Sequence, residues 1–99
     1  MATKALEIHP SALADLKSPV TWYLQHSETA VKKFVSEVDR AVGLVIEAPL
    51  RWPTAEHGTQ KFILNRFPFA VVYREKPNAI QILAFAHGHR NPEYWKDGL

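Results

Sequence analysis

The amino-acid sequence predicts an α+β domain: an antiparallel helical hairpin packed on a mostly antiparallel sheet, in the order β-α-α-β-β-β with a short C-terminal tail. Two observations predict it. Apolar residues recur at three- and four-residue spacing from Val31 to Ile46, which indicates one long amphipathic helix. After Thr59 the apolar period changes to two, as is typical of strands. The helical half therefore precedes most of the sheet.

Length and composition set the class of protein. The chain has 99 residues, 46% of them hydrophobic and 22% charged, which suits a single domain spanning residues 1–99. It has no cysteine, so a disulfide framework and a thiolate metal site are excluded. Neither a signal peptide nor an apolar run of ~18 residues is visible. We therefore predict a cytoplasmic protein with no membrane segment.

The first quarter of the chain predicts a short strand followed by an interrupted helix. Lys4–His9 alternates between polar and apolar residues, as a strand does. Ser11 is a candidate N-cap for the helix that follows. Ser18 and Pro19 resemble a second N-cap with proline at the first helical position. We predict one helix with a break or kink near Ser18.

The long amphipathic helix has recognisable ends. Ser27 is its candidate N-cap, Glu28 favours the positive end of the helix dipole, and Pro49 closes it. The connection to the preceding helix is short, so the two helices form an antiparallel pair. Leu50–Thr59 is polar and is interpreted as an ordered loop.

Three strands complete the predicted sheet. Tight turns separate them because Pro68 and Pro77 interrupt the apolar runs. Two of the runs are apolar on both faces, as expected of covered central strands. The predicted strands are Gln60–Arg66, Phe69–Glu75 and Ala79–His87.

Charge is distributed unevenly although the formal net charge is only +2. Residues 1–50 carry a net charge of −1 and residues 51–99 a net charge of +3. The imbalance favours an anionic partner for the C-terminal half, but it is far smaller than in a nucleic-acid-binding tail.

The stretch AFAHGHRNPEYWK, Ala84 to Lys96, raises the question of a metal site. Residues two apart on a strand share a face, so His87 and His89 have chelate geometry. A catalytic metal also needs a third ligand, and the spacing selects none of the candidates, which are His9, Glu56, His57 and Asp97. We predict no metal. Instead, Gly88 lets His89 and Arg90 turn toward a ligand-binding surface, and His87 is structural.

The chain resembles the toxins of type II toxin–antitoxin (plasmid stabilisation) modules in the RelE/ParE superfamily. Three segments carry the resemblance in a fixed order: KFVSEVDRAVGLVIEAPLRWP, HGTQKFILNRFPFAVVYRE and IQILAFAHGHRNPEYWK. It covers nearly the whole chain and implies two helices against a curved antiparallel sheet. It also implies a bacterial growth inhibitor that needs no cofactor and is neutralised by a cognate antitoxin protein. An apolar groove beside the helical hairpin is a plausible site for a helix or added strand of that antitoxin.

Two mechanisms follow from the resemblance. RelE-like members are metal-independent endoribonucleases that cleave mRNA in the ribosomal A site, whereas ParE-like members poison DNA gyrase. In one group of the nucleases an arginine directly precedes the LVY or VVY triplet, and here that position is Ala70. A methyl group cannot stabilise a phosphate.

Other positions match the nuclease pattern, so the chain carries part of the catalytic set of the nucleases and lacks the arginine. Lys61 and Arg90 match basic positions, and Tyr94, or else Lys96, lies near the terminal general acid or base. Arg66 is a candidate replacement for the missing arginine, and His89 is a candidate proton carrier. We favour gyrase inhibition, in which these residues are target contacts. Ribosome-dependent cleavage and an inert antitoxin-binding relic are the alternatives.

A structural interpretation of the same residues is also open. Arg66, Arg74 and Arg90 can be strand-end charges, and Lys32 and Lys33 are interpreted as solvated. The three tryptophans are interpreted as packing residues; they are Trp22, Trp52 and Trp95.

Overall fold

The computed structural model describes residues 4–87 and confirms the predicted order of elements. These residues form three α-helices, one short 3-10 helix (Glu56–Gly58) and four strands. The helices are α1 (Pro10–Asp15), α2 (Lys17–His26) and α3 (Glu28–Glu47). The strands are β1 (Ala5–Ile8), β2 (Gln60–Ile63), β3 (Phe69–Lys76) and β4 (Ala79–His87). The helices form a hairpin on one face of the sheet, as the sequence predicts.

The sheet has the strand order β1-β4-β3-β2 and is not closed. Strand β1 runs parallel to β4, and the other neighbouring pairs are antiparallel. The register shifts once between β3 and β4: Val72 pairs with Ala84 but Tyr73 pairs with Ile82, which leaves Leu83 as an extra residue. Such a bulge bends the strand and increases its twist, so it contributes to the predicted curvature.

The first helical segment begins earlier than predicted. His9 is the N-cap of α1, because its Nδ1 accepts a hydrogen bond from the Ser11 amide at 3.1 Å. Pro10 then occupies the first helical position, where a missing N–H costs nothing. The prediction of Ser11 as N-cap is therefore wrong by two residues.

The break between α1 and α2 lies at Leu16, close to the predicted position. Ser18 is not the cap of α2, because that helix already begins at Lys17 and has no side-chain cap. Pro19 is tolerated as the third residue of α2 because the first amides of a helix have no intrahelical acceptor. In contrast, Ser27 caps α3 as predicted, with its Oγ accepting from the Ala30 amide at 3.2 Å.

The core lies between α3 and the inner face of the sheet. Phe34 is the central ring of the core. Its ring centroid lies 5.2 Å from that of Tyr23 and 5.5 Å from that of Phe69. The buried side chains of α3 recur at helical spacing and face alternate residues of β3 and β4. They are Phe34, Val38, Ala41 and Val45, packed against Phe69, Val71, Tyr73, Ile80, Ile82 and Phe85.

The loop after α3 is ordered, as predicted, because side chains bind its backbone at several points. Tyr73, fully buried on β3, donates its hydroxyl to the Pro49 carbonyl at 2.6 Å. The Trp52 indole packs edge-on against Phe62 and donates to the Leu44 carbonyl at 3.4 Å.

Burial raises the pKa of Tyr73 to about 12, since the phenolate would lose its hydration.

Strand β2 is shorter than predicted: it ends at Ile63 rather than at Arg66. The Leu64 amide donates to the Phe69 carbonyl at 2.9 Å, after which residues 65–68 bend away. The Asn65 amide bonds to a carboxylate of α3 instead of to a neighbouring strand. Arg66 itself has φ = 70°, a left-handed conformation that cannot continue a strand.

Candidate functional site

Lys61 lies on the outer face of the sheet, opposite the helices. Side chains of β2 alternate, so Phe62 is buried toward α3 while Lys61 and Ile63 point the other way. Lys61 is half-buried and pairs in register with Val72 of β3. Ile63 is 73% exposed.

Ala70 is the neighbour of Ile63 in the register of β2 and β3. It is buried and shares the outer face with Lys61 and Val72. At the position where one group of nucleases carries an arginine, this face therefore presents a methyl group beside an isoleucine. The departure noted in the sequence is thus a buried methyl group next to the exposed side chain of Ile63.

A groove of roughly 780 Å³ runs beside Lys61, between β2, the loop after α3 and the second half of α3. Its floor is apolar, built mainly from Leu44, Trp52 and Phe62. The Pro53 carbonyl accepts from the Lys61 amide at 3.0 Å, so the loop covers the first half of the β2 edge. An apolar groove beside a sheet edge suits an extended protein segment better than a small substrate.

Arg66 lies elsewhere, in the bend between β2 and β3. It borders a separate hollow with Lys32 and Lys33 of α3, whereas Lys61 borders the groove around Trp52. Lys32 and Lys33 are exposed, as predicted. The structure therefore does not bring Lys61 and Arg66 together.

Glu37 of α3 holds the bend that carries Arg66. Its Oε1 accepts from Arg40 Nε at 2.7 Å, and its Oε2 accepts from Arg40 Nη2 at 2.8 Å and from the Asn65 amide at 2.5 Å. The hydrogen-bonded Arg40 guanidinium, with a smaller contribution from the Asn65 amide, lowers the pKa of Glu37. The sequence gives no signal of this contact, because Glu37 and Asn65 are distant along the chain.

His87 ends β4, where its ring meets the Phe69 ring edge-on at 4.9 Å between centroids. This packing agrees with the structural role predicted for His87. It borders a hollow of roughly 570 Å³ that is also lined by Asp15, Trp22 and Phe85. Asp15 Oδ2 accepts from the Phe85 amide at 3.2 Å and so joins α1 to β4.

The prediction that the tryptophans are packing residues is right for one of them and wrong for another. Trp52 packs in the core as predicted. Trp22, however, is 54% exposed and stacks on the His26 ring at 3.9 Å, so its prediction as a packing residue is wrong. It lies on the solvent side of α2, and the weak apolar periodicity of this helix could not assign its face. Trp95 lies outside the described residues.

The remaining predicted site residues also lie outside residues 4–87, and their roles stay predictions; they are His89, Arg90, Tyr94 and Lys96. Within residues 4–87, no cluster of three potential ligand side chains could hold a metal ion. No helix in the same part of the chain is long and apolar enough to cross a membrane.

The fold of this chain is shared with a solved structure. A solved structure titled "Chromosomal ParDE TA system from P. aeruginosa" superposes with a TM-score of 0.75, covering 86% of this chain and 96% of that one. Its sequence identity of 24% supports the shared fold alone. Curated protein sequences yield no significant match.

The family profile described as "ParE toxin of type II toxin-antitoxin system, parDE" matches residues 6–92. The chain therefore belongs to the ParE toxin family. The resemblance seen in the sequence is confirmed, and membership of this family implies a cognate antitoxin as partner.

Proposed function

We propose that this ParE-type toxin inhibits growth by binding DNA gyrase and does not cleave RNA. The observation that carries the proposal is the position of Ala70. This residue is buried on the outer face opposite Ile63, where a nuclease of the related group needs a cation to stabilise the phosphate. Lys61 and Arg66 do not compensate, because they border different hollows.

The outer face beside Lys61 is the proposed gyrase contact. Ile63 is 73% exposed there, and the apolar groove around Trp52 adjoins it. Exposed apolar groups next to a few cations are typical of a protein-binding surface. In this proposal Lys61 contributes a charge at the rim of the interface and takes no part in proton transfer.

Ribosome-dependent mRNA cleavage is the second candidate. Lys61 favours it, because a half-buried lysine on the outer face is available to a phosphate. Cleavage would require Arg90 to stabilise the phosphate, with Tyr94 or His89 transferring protons. These roles come from the resemblance to the nucleases.

The test is induction of the chain alone in a bacterial host, with mRNA ends and plasmid topology measured in the same cultures. We expect intact mRNA together with altered plasmid supercoiling or gyrase-linked DNA breaks. New cleavage sites in translated messages that disappear with Arg90→Ala would establish the nuclease instead. Normal growth with neither change would identify an inert, antitoxin-binding relic.

Two neighbouring substitutions on β2 separate the mechanisms further. Ile63→Asn should weaken inhibition of purified gyrase in a supercoiling assay, because it removes an apolar contact and leaves the buried core unchanged. Lys61→Gln should have the smaller effect on gyrase. If the chain instead cleaves RNA, and this cleavage is lost in Lys61→Gln and kept in Ile63→Asn, the result would favour the nuclease.

A further inference from the structure

A basic patch lies on the polar face of α3, on the other side of Arg40 from the Trp52 groove. We define it as Lys32, Lys33 and Arg66, three exposed cations that border one hollow of roughly 440 Å³; Arg40, which also lines the hollow, is bound to Glu37 and is left out. Two residues from α3 and one from the β2–β3 bend converge there. The patch therefore exists only in the folded chain.

One carboxylate, that of Glu37, lies close enough to Arg66 for their charges to interact. Glu37 is the one acidic residue described at the rim of this hollow, and both of its oxygens are engaged by Arg40 and the Asn65 amide. Among residues 4–87, no ion pair involves Lys32, Lys33 or Arg66. Three cations thus remain available to an anion outside the chain.

The bend holds Arg66 in a strained position. A backbone φ of 70° is disfavoured for a residue with a side chain, such as arginine. Such conformations persist only where the surrounding structure enforces them. The Glu37–Asn65 hydrogen bond fixes one side of the bend. Phe67 fixes the other, with its ring 5.2 Å from Phe34 and 5.4 Å from Tyr23. Arg66 is therefore presented beside the lysines before any partner binds.

The lining of the hollow indicates which anion it suits. Thr29, Ser36 and Asn65 add polar groups, and half-buried Phe67 is the one large apolar side chain that residues 4–87 contribute to the lining. A protein segment needs apolar anchors to bind with useful affinity, whereas a phosphate backbone needs only cations and hydrogen-bond donors. The hollow is also open and lies along an exposed helix face, so an extended polyanion can reach all three cations.

We propose that the basic patch binds the phosphate backbone of duplex DNA. Its biological role rests on the proposed function, because gyrase presents duplex DNA to whatever binds it. The DNA contact itself is measured without gyrase, so the two proposals fail independently. Three cations meeting phosphates should give a slope of about −3 for the logarithm of the binding constant against the logarithm of salt concentration.

The test is fluorescence anisotropy of a labelled duplex of about 20 base pairs with the purified full chain, from about 20 to about 200 mM KCl. The patch variant combines Lys32→Gln, Lys33→Gln and Arg66→Asn. Its control combines Lys17→Gln, Arg51→Gln and Lys76→Gln, which removes the same charge from other surfaces. Circular dichroism and thermal melts establish that both variants are folded.

We expect the patch variant to lose affinity at low salt by about 10-fold or more and to lose most of the salt slope. The control should bind almost as well as the wild type. Absence of salt-dependent binding by the wild type, or equal loss in both variants, would overturn the proposal. So would patch-dependent binding of a polyglutamate peptide without binding of the duplex, which would assign the patch to an acidic protein segment.

Discussion

The two faces of α3 are built in different ways. Its apolar face carries Phe34, Val38, Ala41 and Val45, each at most 8% exposed, and periodic hydrophobicity alone is enough to place them against the sheet. Its polar face carries Lys32 and Lys33, which acquire a distinct environment only because Arg66 arrives from another part of the chain. The difference teaches that periodicity predicts what a helix packs against but not what its exposed face can bind.

The strongest test of the apolar face is Phe34→Ala. Removal of this ring leaves a cavity between Tyr23, Phe67 and Phe69, so we expect a loss of about 3–5 kcal/mol in the free energy of unfolding. Urea denaturation measures it. Val35→Ala is the matched control one residue away, and since Val35 is 45% exposed it should cost less than about 1 kcal/mol. Equal losses would contradict the distinction between the faces.

Tyr73→Phe tests how the sheet holds the loop that follows the apolar face. The substitution removes the hydroxyl that binds the Pro49 carbonyl and keeps the buried ring, so we expect a loss of about 1–2 kcal/mol. The raised pKa of Tyr73 also has a consequence at high pH. Its stabilising contribution is complete below pH 10 and is lost as the pH rises toward about 12, because the unfolded state deprotonates first.

The measurement is urea denaturation at several values of alkaline pH. Wild type should lose stability through this range more steeply than Tyr73→Phe, which lacks the titrating group. Parallel pH profiles would show that the tyrosine hydroxyl does not carry the effect.

Glu37→Gln tests whether the polar face organises the β2–β3 bend. Loss of the carboxylate weakens the bonds to Arg40 and the Asn65 amide, and we expect a cost of about 1 kcal/mol at neutral pH. Since the folded-state pKa of Glu37 is lowered, its contribution is present above pH 4.5 and is lost as the pH falls through the folded value. The difference between the wild type and the variant should therefore shrink in acid.

Asp39→Asn is the control for Glu37→Gln, because Asp39 is an exposed carboxylate on the same helix. Thermal melts at neutral and acidic pH should show a change within about 0.5 kcal/mol for this substitution. If both variants lose the same stability, then Glu37 acts only through the net charge of the helix.

The smallest effect is expected for Arg66→Asn, the milder of two substitutions at this position. Arg66→Asn should change stability by no more than about 0.5 kcal/mol, because asparagine tolerates the left-handed conformation at φ = 70°. Arg66→Val should cost about 1 kcal/mol or more, because a β-branched side chain does not. Thermal melts compare the two variants. Equal stability would argue that the bend adapts to its side chain.

The strands, like the faces of α3, were predicted well where a local pattern decides and poorly where a distant contact decides. The start of β4 at Ala79 was predictable to the residue because a clear turn signal, Lys76-Pro77-Asn78, precedes its apolar run. Strand β2 was overestimated by three residues, since nothing in QKFILNR reveals that the Asn65 amide binds Glu37 instead of a neighbouring strand. Local patterns locate a strand; its end depends on where the next amide finds an acceptor.

The candidate site was less predictable than the fold. Sequence identified Lys61 and Arg66 as basic positions near one strand, which suggested that they cooperate. Lys61 on β2 faces away from the helices, whereas Arg66 lies beside α3 after the bend, so distance along the chain was a poor guide to proximity.

By itself, the sequence determined the order of elements, the buried face of α3 and the membership of a toxin family, because these depend on periodicity, turn residues and the order of motifs. Only the tertiary structure decided the bulge at Leu83, the cap at His9 and the meeting of Arg66 with Lys32 and Lys33. The bulge and the position of Arg66 depend on where backbone groups find hydrogen-bond partners among distant residues after the chain has folded, whereas the cap at His9 is a local bond to the Ser11 amide that the sequence pattern did not single out.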